Sequence, residues 1–151
     1  MDSPLQSIDT PIRNLLEKKG CEVFSIQATQ TVYAAIAEMD ARNVGSLIVK
    51  EGDKVVGIIT ERDYLRKVIL KGRASKETAV ETIMTQVLYT VSPDDTVSTA
   101  LALMSDKRCR HLPVFQHEQL IGIVSTGDLV KETMSRQKFM IQMLKDYMTG
   151  R

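Results

Sequence analysis

The chain has 151 residues, of which 43% are hydrophobic and 26% are charged. This composition is typical of a globular protein and excludes disorder along most of the chain, while the length fits one domain or two very small ones that share a core. The formal net charge of +1, from 20 basic and 19 acidic residues, excludes the basic surplus of a nucleic-acid-binding surface.

The first predicted element is a short helix within the N-terminal segment, residues 1–19. Ile12, Leu15 and Leu16 form an apolar stripe at helical spacing there. The segment lacks the basic and then apolar pattern of a secretory signal, so we expect none. No apolar run in the chain is long enough for a transmembrane helix, and we therefore expect no membrane partner.

Residues 20–70 are predicted to fold as strand, helix, hairpin and helix. Short, apolar and β-prone runs predict the strands, helical spacing of apolar residues predicts the first helix, and Glu51-Gly52-Asp53 predicts a tight turn. The predicted elements are a strand at Val23–Ile26, a helix capped near Thr29 or Gln30 that includes Val32, Ile36 and Met39, strands at Leu47–Val49 and Val55–Ile59, and a helix from about Glu61.

A polar connector, residues 71–82, separates this region from residues 83–131, where the same order of elements is predicted. Ser92 and Pro93 suit the N-cap and the first position of a helix, and the acidic residues after them suit its first turn. The predicted elements are a strand at Leu88–Val91, a helix that includes Val97, Leu101 and Met104, strands at Leu112–Phe115 and Leu120–Val124, and a helix from about Asp128.

The last segment, residues 132–151, is predicted to be a methionine-rich helix. Its apolar residues at helical spacing are Phe139, Met140, Met143, Leu144 and Tyr147. Such a face either packs against the protein body or a second subunit, or forms a groove for a partner peptide. We prefer packing or dimer contact over the groove.

The two regions are copies of one another. A shift of 65 positions superimposes residues 23–65 on residues 88–130 without a gap. The identical pairs include Thr31 and Thr96, Ala35 and Ala100, Met39 and Met104, Leu47 and Leu112, Val49 and Val114, Gly57 and Gly122, and Asp63 and Asp128. The chain is therefore a tandem duplication of a β-α-β-β-α unit, which predicts an α+β fold.

Residues that could support catalysis are few. The chain has two histidines, His111 and His117, and two cysteines, Cys21 and Cys109, a set that suits neither a metal cluster nor a disulfide framework. Cys109 and His111 would share one face of a strand, but the sequence proposes no third group to orient them, so we interpret Cys109 as a small buried thiol. We expect no enzymatic activity and a reduced, cytoplasmic location, with the mitochondrial matrix or another organelle as the alternative if a transit peptide was removed.

Each copy ends its last strand with the same short motif, Gly57 to Asp63 and Gly122 to Asp128, in which a hydroxyl residue precedes an aspartate by three positions. This is the spacing of a capping box, in which both side chains bind backbone N–H groups and serve the fold alone. The same geometry suits a nucleotide, because a hydroxyl and a helix N-terminus donate to phosphate while a carboxylate accepts from the vicinal diol of a ribose. The repetition of the motif makes the two interpretations about equal in weight.

These features together resemble a tandem pair of cystathionine-β-synthase-type domains, known as a CBS pair or Bateman module, and especially the small stand-alone CBS-pair proteins. The resemblance covers roughly residues 12–131 and rests on further motifs as well. They are Val44–Val49, Thr60–Lys67, Ile83–Thr85 and Arg110–Val114. It implies two repeats packed by their sheets about a pseudo-two-fold axis, with N- and C-terminal helices. It also implies two clefts that bind adenosine-containing ligands, and no chemistry of its own.

The resemblance also implies which residues line the two clefts. The first cleft would contain Gly45, Ser46, Thr60, Arg62 and Asp63 from one copy, with Thr85 and Thr90 from the other. The second cleft would contain Arg110, His111, Ser125, Thr126 and Asp128, with Gly20 and Ser25 opposite. Each aspartate would bind ribose and each Ser or Thr would bind phosphate. Further phosphate contacts would come from Arg62 or Lys67 in the first cleft, and from Arg110 or His111 in the second. A solvated helix face is the simpler interpretation of Arg66 and Lys67, and the two clefts are not expected to be equivalent.

The leading hypothesis is a homodimeric sensor of AMP, ATP or NAD(H), whose ligand shifts a conformational equilibrium that a regulated enzyme or transporter recognises. The adenine nucleotide would be a regulatory ligand and not a catalytic cofactor. The alternative is a ligand-independent interaction or dimerisation module that acts through the C-terminal helix, with both motifs serving only as capping boxes. A small enzyme acting on nucleotides is the least favoured hypothesis.

Overall fold

The computed structural model of the chain describes residues 9–86 and 89–149. These residues group into two compact units, one formed by residues 23–86 and the other by residues 9–22 together with residues 89–149. The elements are, in chain order, α1 (Ile12–Lys19), β1 (Ser25–Gln27), α2 (Val32–Arg42), β2 (Ser46–Glu51), β3 (Lys54–Thr60), α3 (Glu61–Tyr64), a π-helical turn (Leu65–Ile69), α4 (Val80–Ile83), β4 (Thr85–Gln86), α5 (Val97–Lys107), β5 (His111–Gln116), β6 (Gln119–Ser125) and α6 (Thr126–Met148). The predicted α+β class is confirmed, while the implied packing of one repeat on the other stays a prediction.

The unit of residues 23–86 is built on a four-stranded sheet in the order β1-β2-β3-β4. β1 runs parallel to β2, and the antiparallel pairing of β2 with β3 places Ser46 opposite Thr60. Gly52 turns the chain between these two strands with a φ of 61°, a value that suits glycine. β4 pairs with the other edge of β3, where Thr85 lies opposite Ile58. The start of the second copy is thus placed beside the last strand of the first.

One hydrophobic core holds this unit together. α2 begins after Thr31, whose side chain accepts a hydrogen bond from the N–H of Ala34, so the predicted cap at Thr29 or Gln30 was one or two residues early. The buried core residues include Val32, Ala35, Leu47, Val49, Ile59, Val80 and Ile83. The last two belong to α4. The short helix that leads into the second copy is therefore packed in the core of the first.

The other unit contains a two-stranded sheet of β5 and β6, in which His111 lies opposite Ser125. His117 and Glu118 form the turn between these strands at positive φ, 51° and 66°, as a tight two-residue hairpin turn of this type requires. Val91 adds a single parallel bridge to β5. His117 is exposed in this turn.

The core of this second unit includes α1. Buried residues of α1, α5, β5, β6 and α6 form one cluster, which contains Ile12, Leu15, Leu16, Val97, Ala100, Met104, Leu112, Val114, Val124 and Leu129. α1 precedes the first copy in the chain, yet it packs in the core of the second. A shift of 65 positions places α1 over the segment that contains α4. Each copy therefore packs its core against the helix that leads into the other copy.

Two predictions about the start of the second copy were wrong. A strand was predicted at Leu88–Val91, but in the described part of this range only Val91 pairs, through a single bridge. The strand found nearby is β4, which comes earlier in the chain. Leu88 lies outside the described residues. Ser92 does not cap a helix, because the residues after it form a turn, in which the N–H of Ser92 donates to Asp95 Oδ2 at 2.8 Å. α5 begins instead after Thr96, whose side chain accepts from the N–H of Thr99.

α6 unites two elements that were predicted separately, the last helix of the second copy and the C-terminal helix at residues 132–151. It runs for 23 residues without interruption, because no glycine or proline follows Gly127 until its end. Residues 71–82, predicted as a linker, belong to the unit of residues 23–86, and α4 begins among them. Residues 1–8, 150 and 151 of the predicted terminal segments lie outside the described residues. No described helix has both the length and the apolar composition that crossing a bilayer requires.

Candidate functional site

The repeated motif forms a capping box in both units. Thr60 Oγ1 accepts from the N–H of Asp63 at 3.1 Å, and Asp63 Oδ2 accepts from the N–H of Thr60 at 3.1 Å. Ser125 Oγ accepts from the N–H of Asp128 at 3.1 Å, and Asp128 Oδ2 accepts from the N–H of Ser125 at 2.9 Å. Each box satisfies two backbone donors at the start of a helix. Both motifs therefore have a role in the fold, whatever else they bind.

Asp63 is surrounded by donors from its own unit. Its Oδ1 accepts from the hydroxyl of Thr85 at 3.1 Å and lies 3.1 Å from the ammonium of Lys67. Lys67 also donates to the carbonyl of Ile83 at 3.0 Å. Only 8% of Asp63 is exposed. With the Thr60 bond at Oδ2, both carboxylate oxygens are occupied by the protein itself.

Asp128 has a different partner. Lys19, the last residue of α1, donates to Asp128 Oδ2 at 2.5 Å and to the carbonyl of Ile123 at 2.6 Å. The side chains of Lys19 and Asp128 are 33% and 26% exposed. Partial burial raises the pKa of Asp128, but the hydrogen bonds from Lys19 and Ser125 and the charge of Lys19 outweigh it and hold the pKa below its ordinary value of 3.8.

The glycine that opens each motif lets a neighbouring segment come close. A Cβ on Gly57 would lie 2.8 Å from the carbonyl oxygen of Thr85, and a Cβ on Gly122 would lie 2.8 Å from Cδ2 of Leu16. Such distances are shorter than van der Waals contact. Glycine is therefore required where β4 passes β3, whereas an added methyl where α1 passes β6 would displace only the end of the Leu16 side chain. The segments that come close are those that supply Thr85 to Asp63 and Lys19 to Asp128.

The repeat register explains why the two aspartates have different partners. Thr85 corresponds to Gly20, and Lys67 corresponds to Glu132. Glycine has no side chain to donate, and glutamate carries the same charge as aspartate. Neither position can therefore supply Asp128 with a donor, and its charged partner comes from α1 instead.

The other residues predicted for the first cleft lie close to the motif. The Gly45 carbonyl accepts from the N–H of Glu61 at 3.1 Å, and the neighbouring Ser46 pairs with Thr60 across the hairpin. Arg62 is an exposed residue of α3, next to Asp63 in the chain. The structure thus brings Gly45, Ser46, Thr60, Arg62, Asp63 and Thr85 into one unit.

Lys67 is not simply part of a solvated helix face. Arg66 is exposed, as a solvated helix face predicts, but Lys67 is half-buried and holds both Asp63 and the Ile83 carbonyl. A lysine in this position stabilises the packing of α4 near α3. Its predicted role as a phosphate contact stays a prediction.

The residues predicted for the second cleft surround the other motif. The Arg110 carbonyl accepts from the N–H of Thr126 at 2.9 Å, and His111 lies opposite Ser125. The Thr126 hydroxyl also contacts the Met104 sulfur at 3.2 Å. Gly20 ends α1 with a φ of 99°, beside Lys19. The Arg110 side chain is exposed.

Thr90 and Ser25, each predicted to complete a cleft, belong to different units from the aspartates they were assigned to. Thr90 is exposed in the segment before Val91. Ser25 begins β1 and lines an open pocket between β1 and α2, with a volume of about 630 Å³. Their assignment to the clefts stays a prediction.

Cys109 lies between α5 and β5 and not on a strand, so the expected shared strand face with His111 was wrong. The thiol packs against the hydrophobic core, and burial raises its pKa. A raised pKa lowers the thiolate fraction at neutral pH, which weakens Cys109 as a nucleophile. Among the described residues, no group of three or more His, Cys, Asp or Glu side chains is placed to hold a metal ion.

Sequence reasoning missed Lys19. Its contact with Asp128 joins residues 109 positions apart, and no spacing rule connects them. One signal was present in the repeat, because Lys19 directly precedes Gly20, which corresponds to the predicted cleft residue Thr85.

The comparisons with known proteins agree on one family. A family model of the CBS domain matches residues 9–70 and again residues 80–135. The chain is 46% identical over 125 residues to the mitochondrial CBS domain-containing protein CBSX3 of Arabidopsis thaliana, which covers 80% of this chain and 61% of that protein. It is 31% identical over 116 residues to the CBS domain-containing protein YhcV of Bacillus subtilis, which covers 77% of this chain and 82% of that protein. The chain spans about three fifths of the Arabidopsis relative and 57% of a Methanopyrus kandleri relative.

Solved structures support the same conclusion. One solved structure is of a protein with CBS domains from Burkholderia ambifaria MC40-6, which has been proposed to act in signal transduction. Its sequence is 41% identical to this chain, and the two structures match with a TM-score of 0.79 over 83% of this chain and 95% of that one. A hexameric CBS-CP12 protein from bloom-forming cyanobacteria is 28% identical with a TM-score of 0.73, over 81% of this chain and 67% of that one.

Proposed function

Because the chain belongs to the CBS-domain family, as the matches over both repeats confirm, we propose that it is a regulatory protein that binds an adenosine-containing ligand and signals to another protein. AMP, ATP and NAD(H) are the ligands we favour, in a regulatory and not a catalytic role. The proteins it matches are CBS-domain proteins, one of which has been proposed to act in signal transduction. That likeness supports the regulatory part of the proposal. The ligand-binding part is supported by the geometry of the candidate site.

The observation that carries the ligand proposal is the hydroxyl–carboxylate pair at the junction of β6 and α6. Ser125 and Asp128 stand at the first turn of a 23-residue helix, whose N-terminus attracts an anion. About a quarter of the Asp128 side chain, 26%, is exposed. A partly exposed carboxylate accepts hydrogen bonds from a vicinal diol, so a ribose and its phosphate both find partners here.

The Asp63 junction supports a weaker or secondary site. Asp63 is bound by Thr60, Thr85 and Lys67 and is 8% exposed. A ligand diol would have to displace Thr85 or Lys67, and α3 is a single turn of four residues. We therefore propose that the two junctions bind ligand unequally.

Isothermal titration calorimetry tests the proposal on the full chain after carried-over ligand has been removed by unfolding and refolding. AMP, ADP, ATP, NAD(H) and S-adenosylmethionine are titrated separately. We expect heat of binding for at least one of AMP, ATP and NAD(H). The double variant Asp63→Ala/Asp128→Ala should lose it, while Asp106→Ala, which removes an exposed carboxylate outside the motifs, should not.

The proposal is wrong if none of these ligands gives a heat of binding. It is also wrong if the double variant binds as tightly as the wild type while circular dichroism shows that both are folded. In that case the motifs are capping boxes only, and regulation would have to act through a protein surface.

A second candidate function, self-association, is favoured by the exposed face of α6. Residues spaced alternately by four and three positions form an apolar seam, which we call the α6 seam: Val130, Met134, Gln137, Ile141, Leu144 and Met148. Its apolar members are between 42% and 83% exposed. The body-facing side of the helix is a different one, marked by Leu129 and Glu132, which are buried. A seam with this spacing is typical of helices that pair.

We propose that the occupant of the α6 seam is the same helix of a second copy. Lys131, Lys138 and Lys145 all lie on one side of the seam, spaced by seven residues. Antiparallel pairing would place these lysines opposite one another, which like charges oppose. Parallel pairing places them opposite the uncharged residues on the other flank, Thr133, Met140 and Tyr147. The charges therefore favour a parallel homodimer.

Sedimentation velocity over a range of protein concentrations tests the dimer. Ile141→Lys/Leu144→Lys should shift the population to monomer. Phe139→Lys is the matched control, because Phe139 is 59% exposed but lies on the opposite side of the helix. A wild-type monomer at all concentrations, or equal effects of the seam and control variants, would contradict the proposal.

A further inference from the structure

Asp128 and Lys19 form a half-site whose two charged groups each keep one unused position. Both contacts of the carboxylate, from Ser125 N–H and from Lys19, fall on Oδ2. Among the described residues, none donates to Oδ1. Lys19 uses its ammonium on Asp128 and on the Ile123 carbonyl, and an ammonium has three N–H donors. One carboxylate oxygen and one N–H of this ion pair are therefore not used by the described residues.

We propose that Lys19 is a specificity-determining residue of this half-site, and that it makes the half-site prefer a diol ligand that carries a phosphate over the same diol without one. The inference rests on the proposed function, because it assumes that Asp128 accepts the diol. It adds a residue that nothing in the motif identifies, and a physical reason for preferring the phosphate-bearing form of the diol.

The charge balance at Asp128 gives the physical reason. A bare carboxylate repels a phosphate that is held close to it. Lys19 neutralises the carboxylate and keeps a donor for a phosphate oxygen, so the pair attracts an anion where Asp128 alone would not. A neutral nucleoside gains only the hydrogen bond at Oδ1. The phosphate ester gains that bond and a charge-assisted contact with Lys19.

Asp63 lacks this arrangement. Its Oδ1 is already bound by Thr85 and approached by Lys67, and its Oδ2 by the N–H of Thr60. Lys67 belongs to the same helical segment as Asp63 and reaches it four positions on, whereas Lys19 comes from α1. The preference for a phosphate should therefore follow Lys19 and the Asp128 half-site.

Calorimetric titration of AMP and adenosine into the ligand-free full chain tests this inference. The variant is Lys19→Gln, and the matched control is Lys18→Gln, which removes the adjacent lysine that binds Glu132 at 3.1 Å. For the wild type we expect tighter binding of AMP than of adenosine. Lys19→Gln should weaken AMP about tenfold, the loss of one charge-assisted contact, and change adenosine less than about twofold. Lys18→Gln should leave the ratio of the two affinities unchanged.

The outcomes separate this inference from the proposed function. Suppose that the wild type binds AMP, but that Lys19→Gln weakens the binding of AMP and of adenosine by the same factor, or changes neither. The specificity role is then wrong and the proposed function stands. If Lys18→Gln lowers the ratio as much as Lys19→Gln, the effect belongs to the general charge of α1, and the inference is also wrong. If the wild type binds none of the adenosine ligands, the proposed function fails and takes this inference with it. Thermal unfolding of each variant checks that it is folded at the temperature of the titration.

Discussion

Gly57 lies directly against the backbone of Thr85, so close that a Cβ at Gly57 would stand 2.8 Å from the Thr85 carbonyl oxygen. The contact joins the last strand of the first copy to the first strand of the second. It also places the Thr85 hydroxyl 3.1 Å from Asp63 Oδ1. The glycine of the repeated motif is thus a requirement of packing, and it positions a partner of the motif's aspartate.

Gly57→Ala should destabilise the protein by about 1–3 kcal/mol, because the added methyl meets a backbone atom that cannot move without separating β4 from β3. The free energy of unfolding from urea titration measures the effect. Gly122→Ala should cost less, since the atom its methyl meets is the end of the Leu16 side chain, which can rotate. Gly45→Ala is the control, with no atom closer than 3.8 Å to the added Cβ. An equal loss in all three variants would contradict this account.

The hydroxyls of the two capping boxes should contribute to stability without any ligand. Thr60→Ala and Ser125→Ala each remove an acceptor for a helix N–H and should cost about 0.5–2 kcal/mol. Thr60→Ser and Ser125→Thr keep the hydroxyl and should cost much less. Urea unfolding of ligand-free protein provides the measurement. Alanine variants as stable as the wild type would show that the boxes are dispensable for the fold.

The Lys19–Asp128 ion pair should make stability depend on pH. The folded-state pKa of Asp128 lies below its ordinary value of 3.8, so the pair stabilises the fold above that value, and the stabilisation is lost as the pH falls through the lowered pKa. At neutral pH Lys19→Gln should be less stable than the wild type by about 0.5–1 kcal/mol, a modest gap because both groups are partly exposed. The gap should close in acid. Urea unfolding from neutral pH down to pH 3 tests it, and a gap that stays constant would contradict the role of Asp128.

The two cysteines should react at different rates. Cys21 is exposed, whereas Cys109 is half-buried and burial raises its pKa. Because the thiolate is the reactive form, a maleimide added at neutral pH should label Cys21 well before Cys109. Peptide mass spectrometry at successive times measures both, and labelling in urea is the control in which the difference should vanish. Faster labelling of Cys109 in the folded protein would contradict the packing described for it.

The repeat made much of each unit predictable, because local rules act within each copy. The hairpin from Ser46 to Thr60 and its counterpart from His111 to Ser125 follow from apolar strands on either side of short polar turns. The capping boxes follow from spacing alone. The cap at Thr96 was missed because Ser92 and Pro93 suit a helix start equally well. In the structure these two residues belong instead to a turn that the Ser92–Asp95 hydrogen bond closes.

The amino-acid sequence by itself determined the duplication, the family, the α+β class and the chemistry of the two motifs, because each depends on residue types at short spacing. Only the tertiary structure decided which partner each motif receives. α1 packs in the core of the second copy and α4 in that of the first, and these long-range contacts bring Lys19 to Asp128 and Thr85 to Asp63. Packing free energy selects them through buried apolar area, which carries no local pattern.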